Sequence, residues 1–390
     1  MNWPLVRFKD VSKVVTGGTP KKIEANYGGN IPFVTPGDLG VHSDVGVSKV
    51  YLTRRGADTV RLLPKGAVMV CCIGATIGKV GIAKTEVTTN QQINSLVFDE
   101  STVFPKYGYY YCSTIKEKLV AKSSSTTMPI INKNNFSELE IPLPPLAEQK
   151  RIAAILDKAD AIRRKRQQAI QLADDFLRSV FLDMFGDPVS NPKGWEVTSL
   201  PSHGLFKNGL NFRKGESGVS IRYLGVGDFK ALTSIDDALS LGTIELDDFP
   251  AEDYLLQDED LVFVRSNGNK ALVGRCISVY PKNEKLTFSG FCIRYRVTDS
   301  CVEPEYLNYL LRTPSMKVAM LKGGQGANIQ NINQKILSEL DVPLPPKDIQ
   351  GKFCNIAKAY KALARKLDKG EDSKATLFDS VSQEAFSGKL

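Results

Sequence analysis

The side chains that most often perform catalysis or bind metals are scarce in this chain and poorly spaced. Its seven cysteines contain no C-x-x-C pair, and its only two histidines, His42 and His203, lie far apart in the sequence. A zinc site needs closely spaced Cys and His ligands, and a Ser-His-Asp triad needs a histidine beside its serine. The sequence therefore gives little material for a metal site or a hydrolase, and it implies no cofactor.

Three short motifs could indicate an active site, and each departs from the pattern that its chemistry needs. GATIGKV (74–80) has three residues between its glycines and a valine after its lysine, whereas a phosphate loop needs four and then Ser or Thr. The Pro-Pro steps at 144–145 and 345–346 follow leucine, without the preceding carboxylate or amide of an amino-methyltransferase motif. Glu148-Gln149-Lys150 matches only the end of a nuclease motif. We predict that 74–80 is a Gly-rich turn between strands.

Long polar loops with isolated cations offer a different chemistry, the recognition of nucleic acid. Asn and Gln side chains suit adenine and Arg suits guanine, while Lys, hydroxyl and loop N–H groups suit phosphates. Ordinary surface loops remain the alternative. The loops are TGGTPKK (16–22), TNQQIN (89–94), KSSSTT (122–127), KNGLNFRK (207–214), RSNGNK (265–270) and KGGQGANIQN (322–331).

An internal repeat organises the chain. SELEIPLPP (137–145) recurs as SELDVPLPP (338–346), and Ile131-Asn132 recurs as Ile332-Asn333 at the same offset of 201 residues. Looser matches pair 107–114 with 306–313 and 31–39 with 221–229. A period this long is not that of a solenoid, so it predicts two copies of one domain.

Each copy ends in a predicted long helix. Proline is tolerated at the start of a helix, so each Pro-Pro step permits a helix directly after it. Apolar residues then recur at steps of three and four, from Ile152 and Ile155 to Phe176 in copy one and from Phe353 and Ile356 in copy two. This seam predicts that the two helices pair, and connectivity predicts that they run antiparallel. The expected molecule is a rod with a globular domain at each end, related by a pseudo-two-fold axis.

The globular parts predict a mixed α/β fold. Strand-like runs occur at 67–72, 95–98, 260–265 and 291–297, and helical patterns occur at 105–121 and 304–321. The expected domains are 1–145 and 188–346, with helices in 146–187 and 347–390.

Composition limits the setting in which the chain works. No apolar run approaches the length of a membrane span, and the start of the sequence does not read as a signal peptide. Unpaired cysteines and no signal peptide predict a reduced, cytoplasmic compartment. The formal charge of +8 is compatible with nucleic acid, although Asp236–Asp260 holds ten acidic residues and no Lys or Arg. If the second copy binds DNA, this acidic stretch should face away from it.

These motifs together resemble the specificity subunits of type I restriction–modification systems. The resemblance covers nearly the whole chain. The residues that carry it are GGTPKK and YGGNIPFVTPGDL (17–39), LPKGAVMV (63–70), GATIGKVGIA and TNQQIN (74–94), SELEIPLPPLAEQKRIAAILD (137–157), NGNKALVGR (267–275), EPEYLNYLLRTPSMK (303–317) and NINQKILSELDVPLPP (331–346).

The resemblance implies a non-catalytic DNA-recognition subunit. Its two globular units would be target recognition domains, each reading one half of an interrupted double-stranded DNA sequence. The antiparallel helices would set the gap between the half-sites and dock two methyltransferase subunits, through which endonuclease/translocase subunits join. The second junction, PLPPKDIQGKF, lacks the Leu, Glu and Lys-Arg of PLPPLAEQKRI, which predicts unequal docking on the two sides.

Under this interpretation, particular residues become candidates for each role. Base reading is assigned to Gln91, Gln92, Arg265, Asn267 and Gln325. Backbone contact is assigned to Lys21, Lys22, Lys79, Lys122, Lys214 and Lys322. Partner docking is assigned to Leu146, Ile152, Ile155, Phe176, Phe353 and Ile356.

Two other classes of function remain as alternatives. One is a self-contained methyltransferase or nuclease, against which the missing methyl-donor loop argues. The other is a coiled-coil interaction protein that makes no contact with DNA.

Overall fold

The chain forms two compact units. The computed structural model describes residues 3–40, 44–123, 129–213, 215–229, 234–322, 331–368 and 377–390, and of 363–368 it describes the backbone alone. Unit 1 comprises Met1–Gln168 with Leu367–Leu390, and unit 2 comprises Ala169–Lys366. The boundary falls inside the first long helix, so the division at 145, 187 and 346 stays a prediction.

Unit 1 contains three sheets among its described residues. They have the strand orders β2-β9-β6-β7-β4, β5-β3-β8 and β1-β10. The strands are β1 (Leu5–Arg7), β2 (Ser12–Thr16), β3 (Tyr27–Val34), β4 (Asp44–Val45), β5 (Tyr51–Leu52), β6 (Val68–Cys71), β7 (Val80–Ala83), β8 (Thr88–Thr89), β9 (Ile93–Phe98) and β10 (Glu140–Pro142).

Unit 2 repeats this topology strand for strand in the part of the chain that the structure describes. Its sheets have the orders β12-β19-β16-β17-β14, β15-β13-β18 and β11-β20. The pairs β3–β8 and β4–β7 are parallel, and so are their counterparts β13–β18 and β14–β17. The predicted duplication is therefore confirmed. The strands are β11 (Val197–Thr198), β12 (Gly204–Asn208), β13 (Val219–Leu224), β14 (Ser234–Ile235), β15 (Thr243–Leu246), β16 (Asp260–Val264), β17 (Cys276–Val279), β18 (Leu286–Phe288), β19 (Cys292–Val297) and β20 (Val342–Pro343).

The central strands form where the sequence is continuously apolar. Along β6, Val68 and Val70 belong to one buried cluster while Met69 and Cys71 belong to another. Because successive side chains of a strand point to opposite faces, the sheet is covered on both faces, which is why the run does not alternate with polar residues. The predicted strands in 67–72, 95–98, 260–265 and 291–297 are confirmed.

Short helices cover these sheets. Each of the two predicted helical regions is a pair of helices rather than one. Ile115 leaves the helical conformation between α3 and α4, and Pro314 starts α8 afresh. The described helices up to the first long one are α1 (Phe8–Val11), α2 (Arg54–Asp58), α3 (Pro105–Thr114), α4 (Lys116–Ala121) and α5 (Lys133–Ser137); those of unit 2 are α7 (Pro304–Leu311), α8 (Pro314–Lys322) and α9 (Gln334–Ser338).

Three further helices follow the two Pro-Pro steps. They are α6 (Leu146–Phe185), α10 (Lys347–Asp368) and α11 (Leu377–Phe386). Within unit 2, α10 runs antiparallel to the end of α6, since Phe176 stacks on Tyr360 at 4.6 Å and Phe181 contacts Phe353 at 5.3 Å between ring centroids. The predicted mixed α/β class, with two sheet-rich domains and a long helix, is confirmed.

In unit 1, α11 packs beside the first part of α6 in the same antiparallel sense. The guanidinium of Arg163 lies 5.9 Å from the ring centroid of Phe378. At the other end, Arg151 Nη2 donates to the backbone oxygen of Leu390 over 3.1 Å. Ala385 joins the core of unit 1. The chain thus returns to unit 1 for its last described helix.

The predicted apolar seam along α6 is partly wrong. Ile152 is fully buried in the core of unit 1, and near the end of α6 the buried residues are Leu177, Phe181 and Phe185 rather than Phe176. The helix packs against the domain's own helices as well as against another long helix. Its buried stripe is therefore rotated from the one that pairing alone would select.

No helix in the described ranges is long and apolar enough to cross a membrane.

Candidate nucleic-acid interface

Three loops of unit 1 project from one end of its five-stranded sheet. Strand β2 ends at Thr16, paired with Asn94 near the start of β9, and β6 ends at Cys71, paired with Ile93. Because neighbouring strands here are antiparallel, the end of β2, the start of β9 and the end of β6 share one edge. We call the residues around this edge, 16–22, 72–79 and 89–94, the unit 1 rim.

Hydrogen bonds between the loops fix the rim. Thr19 Oγ1 donates to Oε1 of Gln91 over 2.6 Å, and Asn90 Nδ2 donates to Oε1 of Gln92 over 3.0 Å. Gly17 has no room for a side chain, because a Cβ there would lie 2.2 Å from the backbone oxygen of Asn90. The predicted reading residues Gln91 and Gln92 both lie on this rim. The structure adds Thr19 and Asn90, which hold the two amides in place.

The predicted cations of unit 1 divide into two groups. Lys21 and Lys22 are exposed on the rim, and Lys79 precedes β7 at the same edge. Lys122 instead lies near Glu138, whose pKa is lowered chiefly by a hydrogen bond from Lys9 and in smaller part by the charge of Lys122. None of these four predicted lysines forms an ion pair with another described residue. Three of these lysines therefore lie at the rim edge, and Lys122 lies by Glu138 instead.

Unit 2 builds its own rim on the same backbone frame. Gly209 N donates to Cys292 O over 3.1 Å, as Gly17 N donates to Ile93 O over 3.0 Å in unit 1. Arg265 N donates to Phe291 O over 2.8 Å, the counterpart of the bond from Cys72 N to Gln92 O. The unit 2 rim, residues 208–212, 265–274 and 289–291, therefore presents Arg265 where unit 1 has a buried cysteine.

The remaining predicted DNA-contact residues of unit 2, for base reading and for backbone contact, differ in their setting. Oδ1 of Asn267 accepts from Asn269 N over 2.7 Å, so this side chain is partly used to shape its own loop. Lys322 is the exposed last residue of α8. Lys214 and Gln325 lie outside the described residues. Phe291, which is 62% exposed on the rim, was missed, because an apolar residue at a strand start is typical of a core.

The acidic stretch of unit 2 neutralises part of the sheet's positive charge. Asp260, which is almost fully buried, accepts from Arg296 Nη2 over 2.7 Å. Asp253 accepts from Lys207, and this hydrogen bond lowers the pKa of Asp253. Its backbone oxygen also accepts from Arg294 Nη1 over 3.0 Å. Lys207 of β12 and Arg296 of β19 are thus paired with carboxylates of the unit, whereas Arg265 on the rim forms no ion pair with another described residue.

The predicted docking residues are not equally available. Ile152 and Phe353 are fully buried in the cores of their own units, so they present no surface to a partner, and their assignment is corrected to a structural role. Phe176 remains 44% exposed although it stacks on Tyr360. Leu146, Ile155 and Ile356 are partly exposed.

A buried glutamine joins each long helix to its own domain. Gln149 donates to the backbone oxygens of Thr102 and Pro144 and accepts from Phe104 N, over 2.8–2.9 Å. Gln350 makes the equivalent three bonds to Cys301, Pro345 and Glu303 in unit 2. The second junction has lost its Leu, Glu and Lys-Arg but keeps this residue. What the two junctions share is therefore the attachment of the helix to the domain.

The described residues give little sign of reactive side chains. Six of the seven cysteines are buried, and burial raises the pKa of Cys72, Cys276 and Cys354 to about 12. A thiol of that pKa is almost entirely protonated at neutral pH and is a poor nucleophile. Across the described ranges, no group of three or more His, Cys, Asp or Glu residues is placed to hold a metal ion.

Comparison with known proteins identifies the duplicated pattern. A family model described as type I restriction modification DNA specificity domain matches residues 1–172 and again 193–376. The chain is 26% identical over 380 residues to the MjaIX specificity subunit of Methanocaldococcus jannaschii, covering 90% of this chain and 85% of that one. It is 26% identical over 300 residues to the EcoKI specificity subunit of Escherichia coli, covering 71% and 63%.

Solved structures share the fold. A type I restriction–modification S subunit from M. genitalium aligns with a TM-score of 0.52 at 18% identity, covering 99% of this chain and 96% of that chain. A chain from a study of assembly and conformational transition in a type I system aligns with a TM-score of 0.51 at 17% identity, covering 100% and 98%. At this level of identity the two alignments show the same architecture.

Proposed function

This chain belongs to the type I restriction modification DNA specificity family, and from that membership we propose that its two units each read one half of an interrupted DNA target. It is a specificity subunit of such a system. In the proposal, the unit 1 rim and the unit 2 rim are the reading surfaces, and the chain itself catalyses no reaction.

The observation that carries the proposal is one backbone frame bearing two different sets of side chains. Equivalent backbone hydrogen bonds hold both rims, yet unit 1 offers Gln91 and Gln92 while unit 2 offers Arg265 and Phe291. Amide and guanidinium groups are the side chains that distinguish adenine and guanine in the major groove. A constant frame with variable rim chemistry is what two unlike half-sites require.

The lysines have a separate role in this proposal. Lys21, Lys22, Lys79 and Lys122 make no ion pair with another described residue, and so they can neutralise DNA phosphates. Phosphate contacts fix the position of a protein on the duplex without reading sequence. Affinity from this source should fall steeply as salt is added.

We propose that the long helices set the gap between the half-sites and dock two methyltransferase subunits, which in turn recruit endonuclease subunits. The partly exposed apolar residues of α6, among them Phe176 and Leu172, support a surface for another chain. Chemistry at the bases would then belong to those partners. The buried and protonated thiols agree with this division of labour.

Two experiments separate the proposal from its alternatives. A methyl-transfer assay on the purified chain should be negative, whereas adding methyltransferase subunits should give methylated adenines in both half-sites. A gel-shift titration at several salt concentrations should show steep salt dependence, which a coiled-coil interaction protein without DNA contact would not produce. Methylation by the purified chain alone would overturn the proposal.

The residue assignments are tested by two matched variants. Arg265→Ala should relax the target at one position at a cost of about 1–3 kcal/mol, because one base loses its bidentate partner. Lys122→Ala should weaken binding to every sequence alike and reduce the salt slope by about 1. If both variants lose affinity uniformly, Arg265 does not read a base.

A further inference from the structure

Phe291 lies in an unusual position for an exposed aromatic residue. Its side chain is 62% exposed, and no other aromatic ring among the described residues contacts it. A single exposed phenylalanine is common on protein surfaces. This one, however, occupies the position on the unit 2 rim that Gln92 occupies in unit 1.

The backbone around Phe291 is held on both sides. Phe291 N donates to Oγ of Ser289 over 3.1 Å, and its oxygen accepts from Arg265 N over 2.8 Å. Gly290 N donates to Leu210 O over 2.8 Å. In unit 1 the equivalent bond runs from Gln92 N to Oδ1 of Asn90 over 3.1 Å. The ring is thus displayed from a fixed frame rather than from a loose loop.

Phe291 and Arg265 form one cross-strand pair. They directly follow the last ladder pair of β16 and β19, Val264 with Cys292, and the bond from Arg265 N to Phe291 O joins them across the two strands. Side chains of such a pair lie on the same face with Cβ atoms about 5 Å apart. Successive bases on one DNA strand are about 3.4 Å apart. Two side chains at this spacing reach the same base pair or adjacent ones.

From this pairing we infer that Phe291 is a specificity-determining residue that contacts the C5-methyl group of a thymine next to the guanine read by Arg265. An arginine suits the O6 and N7 atoms of guanine, and an apolar side chain suits the thymine methyl. The inference rests on the proposed function, in which unit 2 reads the major groove. The two half-sites would then differ in chemistry, because amide side chains contact the bases in unit 1, whereas a guanidinium and an apolar ring contact them in unit 2.

The test replaces thymines of the target with deoxyuridine, which keeps base pairing and removes only the methyl group. A target is first selected from randomised duplexes with the full chain and a type I methyltransferase subunit. The unmodified chain should lose about fourfold in affinity at one thymine of the unit 2 half-site, the value of one buried methyl group. Phe291→Ala should bind the thymine duplex as weakly as the unmodified chain binds the uracil duplex. This variant should not distinguish uracil from thymine at that position.

Matched controls keep the result interpretable. Phe291→Leu should retain sensitivity to uracil, because its side chain is still apolar. Gln92→Ala should change the preference of the other half-site and leave that sensitivity intact. Equal affinity of the unmodified chain for all uracil duplexes would overturn the inference while leaving the proposed function standing. Failure to select any sequence would instead count against the proposed function. Since Phe291 is largely exposed, its variants should unfold at the urea concentration of the unmodified chain.

Discussion

The ion pairs that join the long helices to their domains allow a quantitative prediction. In unit 2, Lys361 of α10 lies 2.6 Å from Glu305 of α7, with side-chain exposures of 17% and 9%. In unit 1, Lys106 of α3 lies 2.9 Å from Asp157 of α6, with exposures of 32% and 37%. Removing one partner of a buried pair costs about 3–5 kcal/mol, whereas an exposed pair contributes about 0–1 kcal/mol.

Replacing the lysine by methionine in each pair should therefore give unequal losses. After Lys361→Met, the hydrogen bond left to Glu305 among the described residues is a contact of 3.5 Å with Tyr280 Oη, so we expect unit 2 to lose about 3 kcal/mol. After Lys106→Met, Asp157 still accepts from Tyr110 Oη, and the loss should stay below about 1 kcal/mol. With a urea slope of about 2 kcal/mol per molar, the midpoints should shift by about 1.5 M and less than 0.5 M.

The chain's two tryptophans make the measurement specific to each unit. Trp3 belongs to unit 1 and Trp195 to unit 2. Urea unfolding followed by fluorescence would use a Trp3→Phe background for Lys361→Met and a Trp195→Phe background for Lys106→Met. Adding Glu305→Leu to Lys361→Met should recover much of the loss, because the uncompensated charge is gone. Equal midpoint shifts in the two units would refute the argument from burial.

Three further predictions concern the junction glutamines, the cysteines and Asp299. Gln149→Leu and Gln350→Leu should each destabilise their own unit by about 3 kcal/mol in the same urea assay, because three backbone groups lose their partners; an unchanged midpoint would show that water replaces the amide. Thiol titration of the native chain should detect one fast-reacting cysteine, Cys301, out of seven, and a second would contradict the burial of the rest. The backbone N–H of Cys301 and the side chain of His203 lower the pKa of Asp299. The stability that Asp299 contributes is present above its unfolded pKa near 3.9 and is lost as pH falls through the lower folded value, so Asp299→Asn should flatten the fall in melting temperature below pH 4.

The parts of the fold that the sequence predicted are those whose cause is local. The duplication is visible in SELEIPLPP and SELDVPLPP because the same junction between domain and helix occurs once in each copy. Val68–Cys71 could be predicted as a strand because a run of four apolar residues between turns is typical of a strand that is buried on both faces. The helix after each Pro-Pro step follows from the restrictions that proline imposes.

The parts that the sequence did not predict depend on contacts between distant segments. Strands of two residues, such as Thr88–Thr89, carry no periodicity and exist because Phe33–Val34 lies beside them. The buried stripe of α6 is set by the helices of its own domain, which periodicity cannot locate. Phe291 was not singled out from the strand-like run 291–297, because only the assembled rim shows that its side chain is 62% exposed.

A duplicated frame also creates an ambiguity that its shared residues cannot resolve. Gln149 and Gln350 make the same three bonds, so these bonds alone would let either long helix attach to either unit. The ion pairs differ in sign, since unit 1 offers Lys106 to Asp157 of α6 and unit 2 offers Glu305 to Lys361 of α10. A long helix docked on the wrong unit would place like charges together and would leave Glu305 uncompensated, at a cost of about 3 kcal/mol. Repulsion in the wrong pairing therefore discriminates between the copies where the shared hydrogen bonds cannot.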